Sequence, residues 1–318
     1  MAHYPQYLPH GVIPAVLLPF HEDMSIDEAT FRTHLRDVSS TDGISAISIN
    51  AHSTEVASCT FEEQRQVLDL TQEEVGDRLP VVHGVYADGS IEAARIAKMA
   101  ADGGASALLV FPPAPLARGQ YPEMAIAHFK RIADATDLPL IAFQFGLTTG
   151  LAYSGETLLR LADAIPTLRA IKDSCNSVTH HEWNIRNLQS LSRPVTVLTT
   201  HSAWLLSSLV LGCGGILSGS GSVIHDLQVQ MYRAVQAKDL VEAQRLNDLI
   251  YPTAKVFYDN PSTDMHNRMK EALVMTGKLP SATVRPPLVK LREDEIERIR
   301  FAMIDAGLLQ ADGQRSAA

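Results

Sequence analysis

The chain has 318 residues, of which 46% are hydrophobic and 20% charged, with a formal net charge of −9 and an isoelectric point near 5.7. That composition is ordinary for a globular protein with one large core, and an acidic chain without a basic cluster excludes nucleic acid and anionic membrane surfaces as expected partners. No run of about 18 apolar residues is present, so no membrane-spanning helix is expected. Met1 to His10 has no basic stretch leading into an apolar core, and the three cysteines (Cys59, Cys175, Cys213) are scattered and odd in number. These features lead us to expect a cytoplasmic, reducing location without a signal peptide or disulfide framework. No CxxC or HExxH spacing occurs, so no metal or other cofactor is expected.

Short apolar runs alternate with amphipathic segments along the chain. Gly11 to Leu18 reads as a first strand, and Ser25-Ile26-Asp27-Glu28 as a capping box opening a helix to about Asp37. Ile44 to Ile49 is a second strand, followed by a second capping box at Thr60 to Glu63 and a helix to about Val75. Pro80 to Val85 is a third strand, and Ser90 caps a helix through Ala101. Ala107 to Phe111 is a fourth, followed by a proline-rich loop and a helix over Pro122 to Ala135. Leu138 to Phe145, Leu168 to Lys172, Val195 to Thr199 and Gly215 to Ser218 complete the strands, with helices over Ser154–Ala164, Val178–Ser190 and Ala203–Leu211.

Eight apolar strands, each followed by a helix, predict an α/β fold of the (β/α)8 barrel type, because strands covered on both faces read as continuous apolar runs. A doubly wound open sheet is the rival, but the first strands lack its glycine-rich turn. The barrel with its lead-in is expected over residues 1–237. Residues 238–318 are expected to form a C-terminal helical subdomain and tail, punctuated by Pro261, Pro280, Pro286 and Pro287.

The active site of such a barrel lies at the C-terminal ends of its strands, which ranks the candidates by position. Lys172 is the only lysine at such an end. An amine held at the edge of a core loses hydration and becomes neutral more easily, and a neutral amine can condense with a ketone. Ser53 and Thr54 after strand 2 offer hydroxyl and backbone donors for a carboxylate, or simply a turn before the next helix. His52 and His201 sit after strands 2 and 7. Each is either a proton carrier or a bystander, and the pair with Asp173 is also a conceivable metal set. His180 and His181 open a helix and read as surface. Tyr86 is a wall residue or a hydroxyl donor. Ser218-Gly219-Ser220-Gly221 lets the backbone approach an anion, or is an ordinary loop.

Taken together, the residues resemble the dihydrodipicolinate synthase / N-acetylneuraminate lyase family of class I aldolases and lyases. The resemblance rests on Gly11–Phe20, Ser53-Thr54-Glu55, Asp102-Gly103-Gly104-Ala105, Phe143–Gly150, Ile171-Lys172-Asp173-Ser174 and Gly214–Gly219, in family order. It implies a Schiff base between Lys172 and a small-molecule 2-oxo acid, such as pyruvate or a sugar-derived acid, and carbon–carbon or carbon–oxygen lyase chemistry. It also implies a homotetramer or homodimer, with the carboxylate turn at Ala51–Glu55. The chain departs from the family pattern where its proton-relay tyrosine falls at Phe143, its arginine at Thr148, its aromatic pair at Pro113-Ala114 and its acidic turn at Thr200-His201-Ser202. These departures argue against dihydrodipicolinate synthesis and neuraminate cleavage. They leave His52, His201 or Tyr86 to replace the tyrosine, with Ser53, Thr54, Phe143, Ser218 and Gly219 as substrate contacts. The rival readings are an oxo-acid-binding barrel without catalysis, motivated by Phe143, and a phosphate-binding barrel enzyme using the Ser218–Gly221 loop.

Overall fold

The computed structural model describes residue 4, residues 6–200 and residues 204–310. Eight strands alternate with helices in a (β/α)8 barrel: β1 (Gly11–Pro14), α1 (Glu28–Ser39), β2 (Ile47–Ile49), α2 (Phe61–Val75), β3 (Val81–Val85), α3 (Ser90–Asp102), β4 (Ala107–Val110), α4 (Pro122–Ala133), β5 (Leu140–Gln144), α5 (Gly155–Ala164), β6 (Leu168–Asp173), α6 (Val178–Leu188), β7 (Thr196–Thr199), α7 (Leu205–Val210), β8 (Gly215–Ser218) and α8 (Gly221–Gln236). The C-terminal extension adds α9 (Leu240–Phe257), α10 (Met265–Met275) and α11 (Glu293–Asp305). Paired strands are parallel and in sequence order. β1 pairs with β8, and isolated bridges from Val12 to Ile44 and from Ala15 to Ser48 join β1 to the β2 side, closing the ring.

Strand alternation sorts side chains into two cores. Ile13, Val82, Leu109, Ile141, Ala170, Leu198 and Leu217 fill the barrel interior, whereas Val12, Val81, Leu108, Leu140, Ile171, Val197 and Ile216 pack outward under the helices. This period of two decides the roles of neighbours on β6. Ala170 faces in and Ile171 out, so Lys172 continues the interior column and Asp173 turns to the helix layer.

Several local expectations need correction. The first strand stops at Pro14, and Ser25 does not open α1. Asp27 is the N-cap, accepting from the Thr30 amide at 3.0 Å, while Ser25 bonds Asp23 in the preceding turn. Ser90 is the first residue of α3 rather than its cap, and its hydroxyl lies 3.0 Å from His128 Nδ1. The Thr60–Glu63 capping box and the Ser154 cap are present as read.

The C-terminal extension is bolted to the turn after β2 by a buried charge network. Lys270 on α10 pairs with Glu55, and the side chains are 0% and 4% exposed. The second Glu55 oxygen accepts from the Arg285 amide at 3.1 Å, and the Arg285 guanidinium holds Glu63 through both carboxylate oxygens at 2.6 and 2.8 Å. Lys270 Nζ and Arg285 Cζ lie 4.4 and 4.3 Å from the centre of the Phe20 ring. Two cations and two carboxylates thus balance, and the aromatic ring supplies further attraction for the cations. Removing one member of a buried pair strands the other. Lys270→Met is therefore expected to lower unfolding stability by about 3 kcal/mol or more, read from urea denaturation. An unchanged midpoint would show that the network is dispensable.

Candidate active site

The C-terminal strand ends and the loops beyond them enclose a cavity of about 780 Å³. Lys172 lies in its lining, 5% exposed, and no carboxylate or hydrogen-bond partner for its amine is found among the described residues. Phe143 pairs in register with Lys172 on the adjacent strand, which puts the Lys172 Nζ 4.2 Å from the centre of the Phe143 ring. Desolvation without a counter-charge pushes the Lys172 ammonium down to about 7. The ring quadrupole offers weak compensation for the charged form, less than a carboxylate would.

The turn after β2 supplies the opposite wall. Asn50 and Glu55 both have positive φ, 49° and 51°, and bracket a short 3-10 turn over His52–Thr54. Such backbone costs energy for non-glycine residues and persists where side chains hold it. The Asn50 amide donates to the Gln64 carbonyl at 2.9 Å and lies 2.8 Å from His83 Nε2, while Glu55 is held by Lys270 and the Arg285 amide. Gly84 is required beside this turn, since a Cβ there would meet the Asn50 carbonyl at 1.8 Å. The turn brings His52 and Ser53 into the cavity lining. Ser53 borders the cavity, and its Oγ is buried without a hydrogen-bond partner, an unusual state for a buried hydroxyl.

An aromatic cluster surrounds the amine. His52 stands 4.8 Å from Phe111, 5.5 Å from Phe143, 5.7 Å from Phe145 and 6.4 Å from Tyr86, centre to centre. Burial among these rings, with the Lys172 charge as a smaller contribution, pushes His52 down to about 3, so it is a neutral imidazole near pH 7. Tyr86 lies at the cavity wall.

The sequence-based site residues divide on the structure. Lys172, His52, Tyr86, Ser53, Phe143 and Gly219 line one cavity. Thr54 and Ser218 do not: the Thr54 hydroxyl donates to the Val16 carbonyl and accepts from the Ala51 amide, and the Ser218 hydroxyl donates to the Thr200 carbonyl beside Ser220 and Tyr258. Both serve the scaffold behind the lining. His201 lies outside the described residues. Asp173 belongs to no set with His52, because it faces the helix layer. There its carboxylate accepts from the Asn184 amide at 2.8 Å and from the Cys175 backbone at 2.9 Å, with His181 Nδ1 at 2.8 Å. Burial pushes the Asp173 carboxyl up, but these partners together outweigh it and hold it below the usual carboxylate range. His181 is therefore buried, at 2% exposure, rather than on the surface.

Sequence reasoning missed the wall contributed by the C-terminal extension. Tyr258, Asn260, Met265, His266 and the Arg285–Leu288 segment all line the cavity. The His266 ring is 6.3 Å from that of His52, and burial holds it well below the ordinary histidine range. These residues follow no strand, so the strand-end rule could not find them. The Pro286-Pro287 pair, which closes the segment by a cis bond, was the only local signal.

The lowered Lys172 pKa has two measurable consequences. Acylation of Lys172 by acetic anhydride, followed by peptide mass spectrometry, should rise with pH around a midpoint of about 7, and a midpoint near the ordinary lysine value of about 10.5 contradicts a desolvated amine. The stability effect has a definite sign. Between about 7 and the unfolded value, the unfolded chain binds the proton that the folded chain has released. This group therefore favours folding more as pH rises through that window and opposes it below.

The sequence profile of the dihydrodipicolinate synthetase family matches residues 8–305. The chain is 27% identical over 306 residues to the 4-hydroxy-tetrahydrodipicolinate synthase of Methanopyrus kandleri, covering 95% of this chain and 98% of that one. It is 29% identical to a DapA-like lyase of Halobacterium salinarum, covering 94% of this chain and 95% of that one. Among solved structures, the dihydrodipicolinate synthase of Acinetobacter baumannii complexed with pyruvate superposes with a TM-score of 0.84 at 26% identity, covering 94% of this chain and 99% of that one. YagE of E. coli K12, also in complex with pyruvate, shares the fold with a TM-score of 0.88 at 24% identity, covering 95% of this chain and all of that one. The match across nearly the whole chain, with Lys172 at the end of the sixth barrel strand, places this protein in the dihydrodipicolinate synthetase family.

Proposed function

We propose that the protein is a Schiff-base-forming lyase, an aldolase or dehydratase, acting on a 2-oxo acid through Lys172. The observation that carries this reading is a buried amine with no acidic partner among the described residues, inside a cavity bordered by Ser53, whose hydroxyl is unpaired. The lowered pKa leaves about half the amine neutral at pH 7. In this reading the neutral amine attacks the C2 carbonyl of the acid, loses water and forms a protonated imine. Ser53 Oγ and the amides of its turn receive the carboxylate. The imine then accepts the electron pair of the C3–C4 bond as the C4 hydroxyl loses its proton, or promotes loss of water across C3 and C4.

The second requirement is a group that moves protons. Phe143 lacks the hydroxyl that a relay needs. His52 is neutral, so it can accept a proton at one ring nitrogen and donate from the other without holding a charge for long. We assign the relay to His52, with Tyr86 and His201 as the alternative carriers. Phe143 beneath the amine serves as a wall, and this rebuilt relay sets the protein apart from dihydrodipicolinate synthesis itself. Similarity to pyruvate-bound family structures supports the oxo-acid half of the reading. A cytoplasmic homotetramer or homodimer without cofactor is the setting we propose for it.

Two experiments check the proposal. Incubation with a panel of 2-oxo acids followed by borohydride reduction should add the mass of the reduced acid to the Lys172 peptide, with no adduct in Lys172→Ala. Absence of an adduct with every acid rules out the Schiff base, and an adduct never followed by turnover supports the non-catalytic binding barrel instead. With a turned-over acid in hand, His52→Phe should lower kcat by about 100-fold or more while leaving adduct formation intact. If His52→Phe, Tyr86→Phe and His201→Ala all retain turnover, the relay lies elsewhere.

A further inference from the structure

The cavity is much larger than a three-carbon acid requires, falling in the range that accommodates drug-sized ligands. Its remaining space has a definite chemistry. Beside the amine stand Phe143, Phe145, Tyr86 and His52, with Phe111 behind them, packed edge to face or tilted at 4.4 to 6.4 Å between centres. Phe143 lies on β5 and Phe145 directly follows it, and both line the cavity. Val56, Met265, Pro286, Pro287 and Leu288 extend the apolar lining.

The charges in the lining are already spent. Besides Lys172, the charged side chains lining the cavity among the described residues are Glu55 and Arg285, paired with Lys270 and Glu63. His52 and His266 are held neutral by burial. Rim groups such as Thr148, Thr149, Asn176 and Asn260 are polar but uncharged. Among the described residues, a second carboxylate or a phosphate would therefore find no free cation to receive it, which is costly in a largely apolar site. An aromatic ring would bury its faces and edges against complementary rings.

Building on the Schiff-base reading, we infer that the reactant carries an uncharged aromatic group at C4, so that the enzyme interconverts an aryl-bearing 4-hydroxy-2-oxo acid with pyruvate and an aromatic aldehyde. In cleavage, the C4 hydroxyl loses its proton as the C3–C4 electron pair moves into the imine, releasing the aldehyde and leaving an enamine. Protonation at C3 and attack of water on the imine then release pyruvate and restore the Lys172 amine. No oxidant or reductant is consumed.

The test runs the addition with pyruvate and a panel of aldehydes: benzaldehyde, 2-naphthaldehyde, glyceraldehyde and succinic semialdehyde. Products are quantified by liquid chromatography–mass spectrometry, and borohydride trapping of pyruvate is measured on the same preparation. The aromatic aldehydes should exceed the other two in kcat/KM by about tenfold or more. In Phe145→Ser, the ratio of benzaldehyde to glyceraldehyde turnover should fall by about tenfold. Trapping of pyruvate on Lys172 together with equal or better use of glyceraldehyde or succinic semialdehyde, or with no aldehyde used at all, overturns this inference and leaves the Schiff-base reading standing. No trapping with any 2-oxo acid removes both.

Discussion

Burying an amine without an anion beside it is expensive, and the barrel is arranged so that Lys172 bears that cost. The interior column of β6 runs from Ala170 to Lys172, and the strand period leaves the amine no route to the Asp173 carboxylate one residue along. Its closest described aromatic neighbour is the face of Phe143. The ammonium therefore loses hydration and gains little in return, which moves its titration toward neutrality. A carboxylate at position 143 would have held the proton on the amine and removed its nucleophilicity.

The rest of the molecule shapes that environment. The carboxylate of Asp173 is fixed outside the barrel by His181, Asn184 and the Cys175 amide, so the one acidic side chain adjacent in sequence cannot swing inward. On the other side, Lys270 and Arg285 hold Glu55 and Glu63 at the base of the turn that presents Ser53. The same network locks the C-terminal extension against the cavity, where His266 and the Pro286-Pro287 segment complete the wall. Charges that could compete for the substrate or for the amine are thus neutralised in the scaffold. Among the described residues that line the cavity, the Lys172 amine is left without a carboxylate partner.

Much of this was legible in the sequence because a parallel barrel imposes a simple rule on it. Strands covered on both faces appear as unbroken apolar runs, and cavity-lining groups follow them, so Lys172, His52, Ser53 and Tyr86 could be picked out by position. The errors came where position along a strand does not determine what a side chain bonds. Thr54 and Ser218 stand at strand ends, yet their hydroxyls satisfy buried carbonyls behind the lining. His181 looked like a surface residue at a helix start, but its partner is the outward-facing Asp173 of the preceding strand. His266 and Tyr258 lie far along the chain, and only the folding of the extension over the barrel mouth brings them to the site.

At the centre of the proposed mechanism is a covalent bond between Lys172 and a 2-oxo acid, oriented by the turn after β2. The most direct measurement is a crystal structure of the enzyme reduced with borohydride in the presence of pyruvate. It should show continuous density from Lys172 Nζ to the bound acid, with the carboxylate against Ser53 Oγ and the methyl carbon directed toward the rings of Phe143 and His52. An unmodified Lys172, or a carboxylate bound away from Ser53, would contradict it.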